Sequence, residues 1–256
     1  MYQLNTHYKK IIADTITPVS IYLKIRDRYP NSILLESSDY HTKDNSFSYV
    51  CSNPIAFFKV ENNLITQQFP DGIRSIKETK DSDVTTEIHN FTQQFKADTK
   101  EQFKFINNGV FGYTAYDAVK YFEDIDISKK ENSLNIPDIY YAVYQNIIAI
   151  DHFKNEAYIF AHCFETENNV DDLLHLIQAK NFASYAFKTE GDIHSNLTDN
   201  DYKEHVELAK QHCARGDVFQ LVLSKKFQQN FKGDEFNVYR ALRSINPSPY
   251  LFYFDY

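Results

Sequence analysis

No apolar stretch of this 256-residue sequence approaches the roughly 20 residues that cross a bilayer, and the opening MYQLNTHYKK has no apolar centre of the leader-peptide kind. Both features predict a cytoplasmic protein. Basic clusters are missing too: the longest runs are pairs such as Lys225-Lys226, the charges are mixed, and the net charge is -8. That excludes a nucleic-acid-binding surface built on basic and aromatic side chains. The three cysteines, Cys51, Cys163 and Cys213, are too few and too scattered for a disulfide framework or a metal knuckle, and predict reduced, packed thiols. No pair among the nine histidines has ligand spacing; His205 and His212 lie two helical turns apart, too far to share an ion. Tryptophan is absent beside 21 Phe and 19 Tyr. An AT-rich genome accounts for this, as it does for the many Asn, Ile and Lys residues; selection against tryptophan use is the other reading.

What is present describes a globular chain with enough apolar material for one large or two ordinary domains. TPVSIYLKIRDRYP predicts a short helix capped by Thr17, with Pro18 in its first turn and Pro30 after its end. FSYVCSNPIAFFKVENNLITQQF predicts a meander of three short strands, broken at Asn53-Pro54 and turned at Asn62-Asn63. Val84, Ile88, Phe91 and Phe95 recur at helical spacing and predict an amphipathic helix from Asp83 to about Phe105. GVFGYTAY lacks the third glycine and the Lys-Ser/Thr of a phosphate loop, and predicts a glycine-softened turn into a strand. Strands around DHFKNE and a helix over Val170 to Lys180 follow.

Residues 184–197 are poor in aliphatics and predict a linker. Beyond it Thr198 and Asp201 form a capping pair for a helix that Gly216 stops, DVFQLVLSKKF predicts an apolar strand, and EFNVYRALRSI predicts a helix ended by Asn246-Pro247. The final Leu251 to Phe254 carries aromatics on both faces of a strand without polar termination, which predicts that the natural chain continues.

The most puzzling stretch is NSILLESSDY, where Ile33, Leu34 and Leu35 run into Glu36 and Ser37 with no turn residue between. A carboxylate at the end of a buried strand needs a cation or a ligand to meet it, unless the strand has simply reached the surface.

Together TPVSIYLKIRDRYP, SILLESSD, DYKEHVELAKQHCARGDVFQLVLSKKF and YRALRSINPSPYLFYFD resemble, in content and order, the N-terminal half of anthranilate synthase component I. That resemblance implies an α+β fold with antiparallel β-sheets packed against outer helices. It divides the chain into a regulatory and interaction domain over 1–183, the linker over 184–197, and an incomplete start of a chorismate-binding domain over 198–256. The complete enzyme would convert chorismate and ammonia to anthranilate and pyruvate with Mg2+, taking ammonia from a glutamine amidotransferase subunit, component II. The resemblance places the Mg2+ carboxylates in the half that follows, so it assigns no catalytic residue and no metal ligand to these 256 residues, and implies that they alone form no anthranilate.

In that family the strand holding LLES and the segment holding NPSPY meet around L-tryptophan, the feedback inhibitor. The implied contacts are Glu36, Ser37, Asn246, Pro249, Tyr250 and Leu251. Glu36 would meet the ammonium group, with pairing to a nearby Lys as its alternative; for Asn246 the alternative is a cap at the end of its helix. Gln220, on the predicted strand face of Val218, Val222 and Ser224, stands where water-using relatives carry a lysine base, which fits ammonia as nucleophile; a buried structural Gln is the alternative. Aminodeoxychorismate synthase component I of the folate pathway and a non-catalytic tryptophan-binding, subunit-docking module are the competing readings.

Overall fold

The computed structural model describes residues 1–37, 46–98, 101–125, 127 and 135–256. In chain order the elements are β1 (Tyr2–Ile12), α1 (Pro18–Ile25), β2 (Ile33–Ser37), β3 (Phe47–Glu61), β4 (Leu64–Gln68), β5 (Arg74–Glu78), α2 (Val84–Thr92), β6 (Phe95–Asp98), β7 (Val110–Thr114), β8 (Ile139–Asp151), β9 (Glu156–Cys163), α3 (Val170–Gln178), β10 (Phe187–Ser195), α4 (Asp199–Arg215), β11 (Phe227–Gly233), α5 (Phe236–Ile245) and β12 (Tyr250–Phe254). They form two compact units, one of residues 1–183 with 242–256 and one of residues 184–241.

The first unit is built on a ten-stranded sheet in the order β12-β2-β3-β8-β9-β1-β6, with β4 and β5 continuing from β3 and β7 pairing with β8. Its pairs are antiparallel except β1 with β6, so the sheet is mixed. Helices α1 and α3 pack on one face of it. Local chemistry sets α1: Thr17 Oγ1 accepts from the Ser20 N–H and Ser20 Oγ accepts from the Thr17 N–H, both at 3.1 Å, and Pro18 opens the helix. Ile21, Tyr22 and Ile25 are then fully buried.

The strand pairing departs from the local reading in three places. Residues 47–61 form one strand, because Asn53 takes a positive φ of 58° and the register slips between Pro54 and Ala56; the missing Pro54 N–H is absorbed by a bulge that bends the strand without ending it. Asn62 and Asn63, at φ 50° and 63°, make the tight turn to β4. The helix expected from Asp83 to Phe105 stops at Thr92, and Phe95 to Asp98 pairs with Tyr2 to Asn5 as β6. The segment Asp217 to Lys226, expected as a strand, belongs to no ladder among the described residues; its apolar run has no adjoining edge to satisfy its backbone.

In the second unit the expected linker holds β10, which pairs antiparallel with β11. The caps of α4 follow the sequence: Thr198 with Asp201 at its start and Gly216 at φ 80° at its end. Residues 242–256, expected with 198–241, belong to the first unit because β12 joins its sheet beside β2. No helix among the described residues is long and apolar enough to cross a membrane.

One buried polar residue in the sheet gives the fold a pH dependence. His162, 1% exposed, has Nδ1 at 2.9 Å from Thr6 Oγ1 and donates from Nε2 to the Asn107 carbonyl at 2.7 Å. Burial lowers its pKa and the Asn107 carbonyl partly opposes the shift. The folded state therefore binds the proton less readily than the unfolded chain. This contribution to stability is complete above the ordinary histidine value of about 6.5 and is lost as pH falls from there through the lowered folded value. Urea midpoints at pH 7.5 and 5.5 should drop more for the native chain than for His162→Gln; equal drops would assign the acid sensitivity to other groups.

Candidate functional site

The stretch ILLES becomes β2 because its neighbours on both sides accept it. Ile33, Leu34 and Leu35 pair with Cys51, Val50 and Tyr49 of β3, and the whole strand pairs with β12, Tyr250 opposite Ser37 and Leu251 opposite Glu36. LLES thus lies beside Tyr250 to Tyr253, and of PSPY the ladder takes in Tyr250. Ser37 is the last residue of β2 and Tyr250 the first of β12, so these residues form one end of a two-strand ladder.

Alternation divides the expected contacts between two faces. Leu34, Glu36, Leu251 and Tyr253 share the face that carries α1, where the rings of Tyr253 and Tyr22 meet edge to face at 5.5 Å. Ser37, Leu35, Tyr250 and Phe252 share the opposite, aromatic face, on which Phe254 stands 5.6 Å from Tyr113. Ser37 is half-buried, and its carbonyl accepts from Ser46 Oγ at 3.0 Å. Tyr250 is 71% exposed and Leu251 half-buried. Pro249 and Asn246 are exposed; the Asn246 N–H donates to the Leu242 carbonyl at 2.9 Å, closing the last turn of α5.

Glu36 is 7% exposed, so the strand has not reached the surface there. Its Oε2 lies 3.0 Å from Nε of Arg243 on α5, so among the described residues an arginine is a cation that meets it. Near this pair the His152 Nε2 contacts Ser48 Oγ at 2.7 Å. Although residue 152 counts as exposed overall, its ring is sheltered; burial lowers the pKa, Glu36 and Asp151 pull it back up, and Arg243 adds to the lowering. The helix-side face of the ladder end is therefore a small polar cluster of Glu36, Arg243, Ser48 and His152.

Arg243 is the residue that sequence reading missed, although a signal for it exists. Phe236, Tyr239 and Arg243 are spaced i, i+3, i+7, the stripe by which a helix packs, and the first two are buried. An arginine on such a stripe calls for a carboxylate partner.

Gln220 is exposed and belongs to the second unit, in the segment that joins no ladder among the described residues. Among the described residues no group of three His, Cys, Asp or Glu side chains is placed to hold a metal ion. The described residues thus offer no site that fits Mg2+.

Comparison with known proteins agrees with this architecture. The anthranilate synthase component 1 of Aquifex aeolicus is 29% identical over 97% of this chain and 52% of its own length. The aminodeoxychorismate synthase component 1 of Bacillus subtilis is 26% identical over 96% of this chain and 53% of its own. The crystal structure of anthranilate synthase component I from Streptococcus pneumoniae superposes with a TM-score of 0.58 at 22% identity, over 94% of this chain and 53% of that one, which shows a shared fold. The chain spans about half the length of the curated relatives it matches. Residues 69–256 match the chorismate binding enzyme family, and with that match covering more than half of its residues the chain belongs to this family.

Proposed function

We propose that this chain is the tryptophan-binding half of an anthranilate synthase component I, and that the ladder end formed by β2 and β12 is its feedback site. The observation that carries the reading is the pairing of Tyr250 with Ser37, which sets two segments from opposite ends of the chain against each other. A ligand seated across the end of the ladder meets Glu36 from the helix-side face and Ser37 with Tyr250 from the aromatic face. That suits a zwitterion with an aromatic side chain, whose ammonium favours a carboxylate and whose ring favours apolar walls. The relatives named anthranilate synthase component 1 support the same reading.

The full-length enzyme would be cytoplasmic, convert chorismate and ammonia to anthranilate and pyruvate with Mg2+, and receive ammonia from a glutamine amidotransferase subunit. The likeness to the aminodeoxychorismate synthase component of Bacillus subtilis favours a second reading, in which the product is aminodeoxychorismate and a tryptophan site is a fixture of the fold.

Calorimetric titration of the 256-residue chain tests the site. Saturable binding of L-tryptophan at least about tenfold tighter than L-phenylalanine is expected, a difference of roughly 1.4 kcal/mol for the larger ring and its N–H donor. No heat with tryptophan at millimolar concentration would sink the reading. Exchange separates the alternatives: a feedback ligand leaves on dialysis, whereas a structural fixture stays bound.

A further inference from the structure

The ion pair at the ladder end bears on how tightly such a site holds its ligand. Glu36 is buried, its side chain 5% exposed, while the Arg243 side chain is 46% exposed, and Nε and Oε2 stand 3.0 Å apart. The carboxylate is compensated before any ligand arrives.

We propose that Arg243 is a resident counter-ion that competes with the α-ammonium of an amino-acid ligand for Glu36, and so sets both the affinity of the site and its preference for zwitterions. The inference rests on the tryptophan-site reading above. A carboxylate already paired with a guanidinium is close to neutral as a unit, so it attracts an incoming ammonium weakly, and the two cations repel each other. One of the three charges must give way. Glu36 has no cheap route to water, whereas Arg243 already has nearly half its side chain there, and a long cationic side chain turns outward while its aliphatic stem stays packed. The asymmetry of exposure makes Arg243 the group that leaves. His152, a titratable group near Glu36 among the described residues, is held by its 2.7 Å contact with Ser48 Oγ.

Competition of this kind weakens binding of ligands with an ammonium and leaves others untouched. It gives a feedback site a built-in threshold: the inhibitor must reach a concentration at which it displaces an intramolecular partner, and ammonium-free indole acids gain nothing from the exchange.

The test compares L-tryptophan with indole-3-propionate, the same molecule without its ammonium group, by calorimetric titration of the native chain, Arg243→Gln and Arg243→Lys. Arg243→Gln should bind tryptophan about tenfold tighter, with indole-3-propionate changed less than twofold, because one charge-assisted contact is released from competition. Arg243→Lys keeps a cation and should keep the native affinity. If the native chain binds tryptophan and a folded Arg243→Gln binds it no tighter, Arg243 is only a structural partner of Glu36; the inference falls and the site reading stands. If neither the native chain nor any variant binds tryptophan, both fall together. A second measurement avoids the variants' folding altogether. In the ¹⁵N spectrum of the native chain, saturating tryptophan should move the Arg243 Nε–H signal to the position and fast exchange of a free arginine, and indole-3-propionate should not. A signal that stays unmoved under tryptophan overturns the proposal.

Discussion

Replacing Ser37 by phenylalanine is expected to abolish tryptophan binding, by at least a hundredfold, while the chain folds as before. Ser37 ends β2, half-buried on the aromatic face, opposite a Tyr250 that is 71% exposed. A phenylalanine at that position joins a face that already carries Leu35, Phe252 and Phe254, and aromatic residues suit a cross-strand pair with tyrosine, so the cost to folding is small. The bond from Ser46 Oγ goes to the backbone carbonyl of residue 37 and survives any side-chain change. The ring, however, fills the space at the end of the ladder where the ligand would lie. Ser37→Ala separates the two components of the effect. Removing a hydrogen bond to a charged ligand group costs about 1.5 to 3 kcal/mol, which is a ten- to hundredfold weaker dissociation constant, and the phenylalanine adds steric exclusion on top. Calorimetric titration gives the affinities and thermal unfolding the control. A Ser37→Phe chain that binds tryptophan like the native one would reduce LLES to a strand end with no ligand.

How much of this was legible in the sequence depends on the distance over which each feature is decided. The caps at Thr17 and Thr198 and the stop at Gly216 are set within four residues, and the structure has them where the residue types call for them. The stretch after Thr92 is different. Phe95 continues the helical period of Val84, Ile88 and Phe91, yet it becomes a strand because Tyr2 to Asn5 offers a parallel edge, and no local pattern announces a partner so far away in the chain. The apolar run 217–226 errs in the opposite direction: strand-like residues without an adjoining edge. For the candidate site, the neighbourhood of LLES and PSPY came through family resemblance, since nothing in either segment specifies the other. Two facts about it were nevertheless available from first principles. Glu36 and Ser37 are consecutive in a strand and therefore face opposite sides, so their side chains do not line one wall. Arg243 follows Phe236 and Tyr239 on one helical stripe, which marks it as a packed arginine in search of a carboxylate. What no pattern could supply was that this carboxylate is Glu36.

The largest effect on stability is expected from Gly112. A Cβ added there would lie 1.9 Å from the Tyr140 carbonyl oxygen, 2.8 Å from the Tyr141 Cα and 2.9 Å from the Tyr140 carbonyl carbon. These are backbone atoms of β8, the strand that β7 pairs with, so no side chain can turn aside and the only relief is to part the ladder. The backbone of Gly112 is not in the left-handed region; what requires glycine is close approach alone. Parting β7 from β8 also exposes Phe111 and displaces Tyr113, which packs against Phe254 on the aromatic face of the site. A domain of ordinary stability holds about 5 to 15 kcal/mol in total, and a substitution that forces backbone atoms of a paired strand apart can remove more than about 4 of it. Gly112→Val should therefore give little folded protein, and Gly112→Ala a chain that unfolds at far lower denaturant. Gly109 is the control. It sits three residues earlier at φ 127° with nothing within 4 Å of an added Cβ, so Gly109→Ala meets backbone strain of about 1 to 3 kcal/mol and no clash. Urea unfolding of the two alanine variants side by side makes the comparison. A Gly112→Ala midpoint no lower than that of Gly109→Ala would mean that the β7–β8 approach yields, and that the aromatic face beside β12 tolerates a looser support.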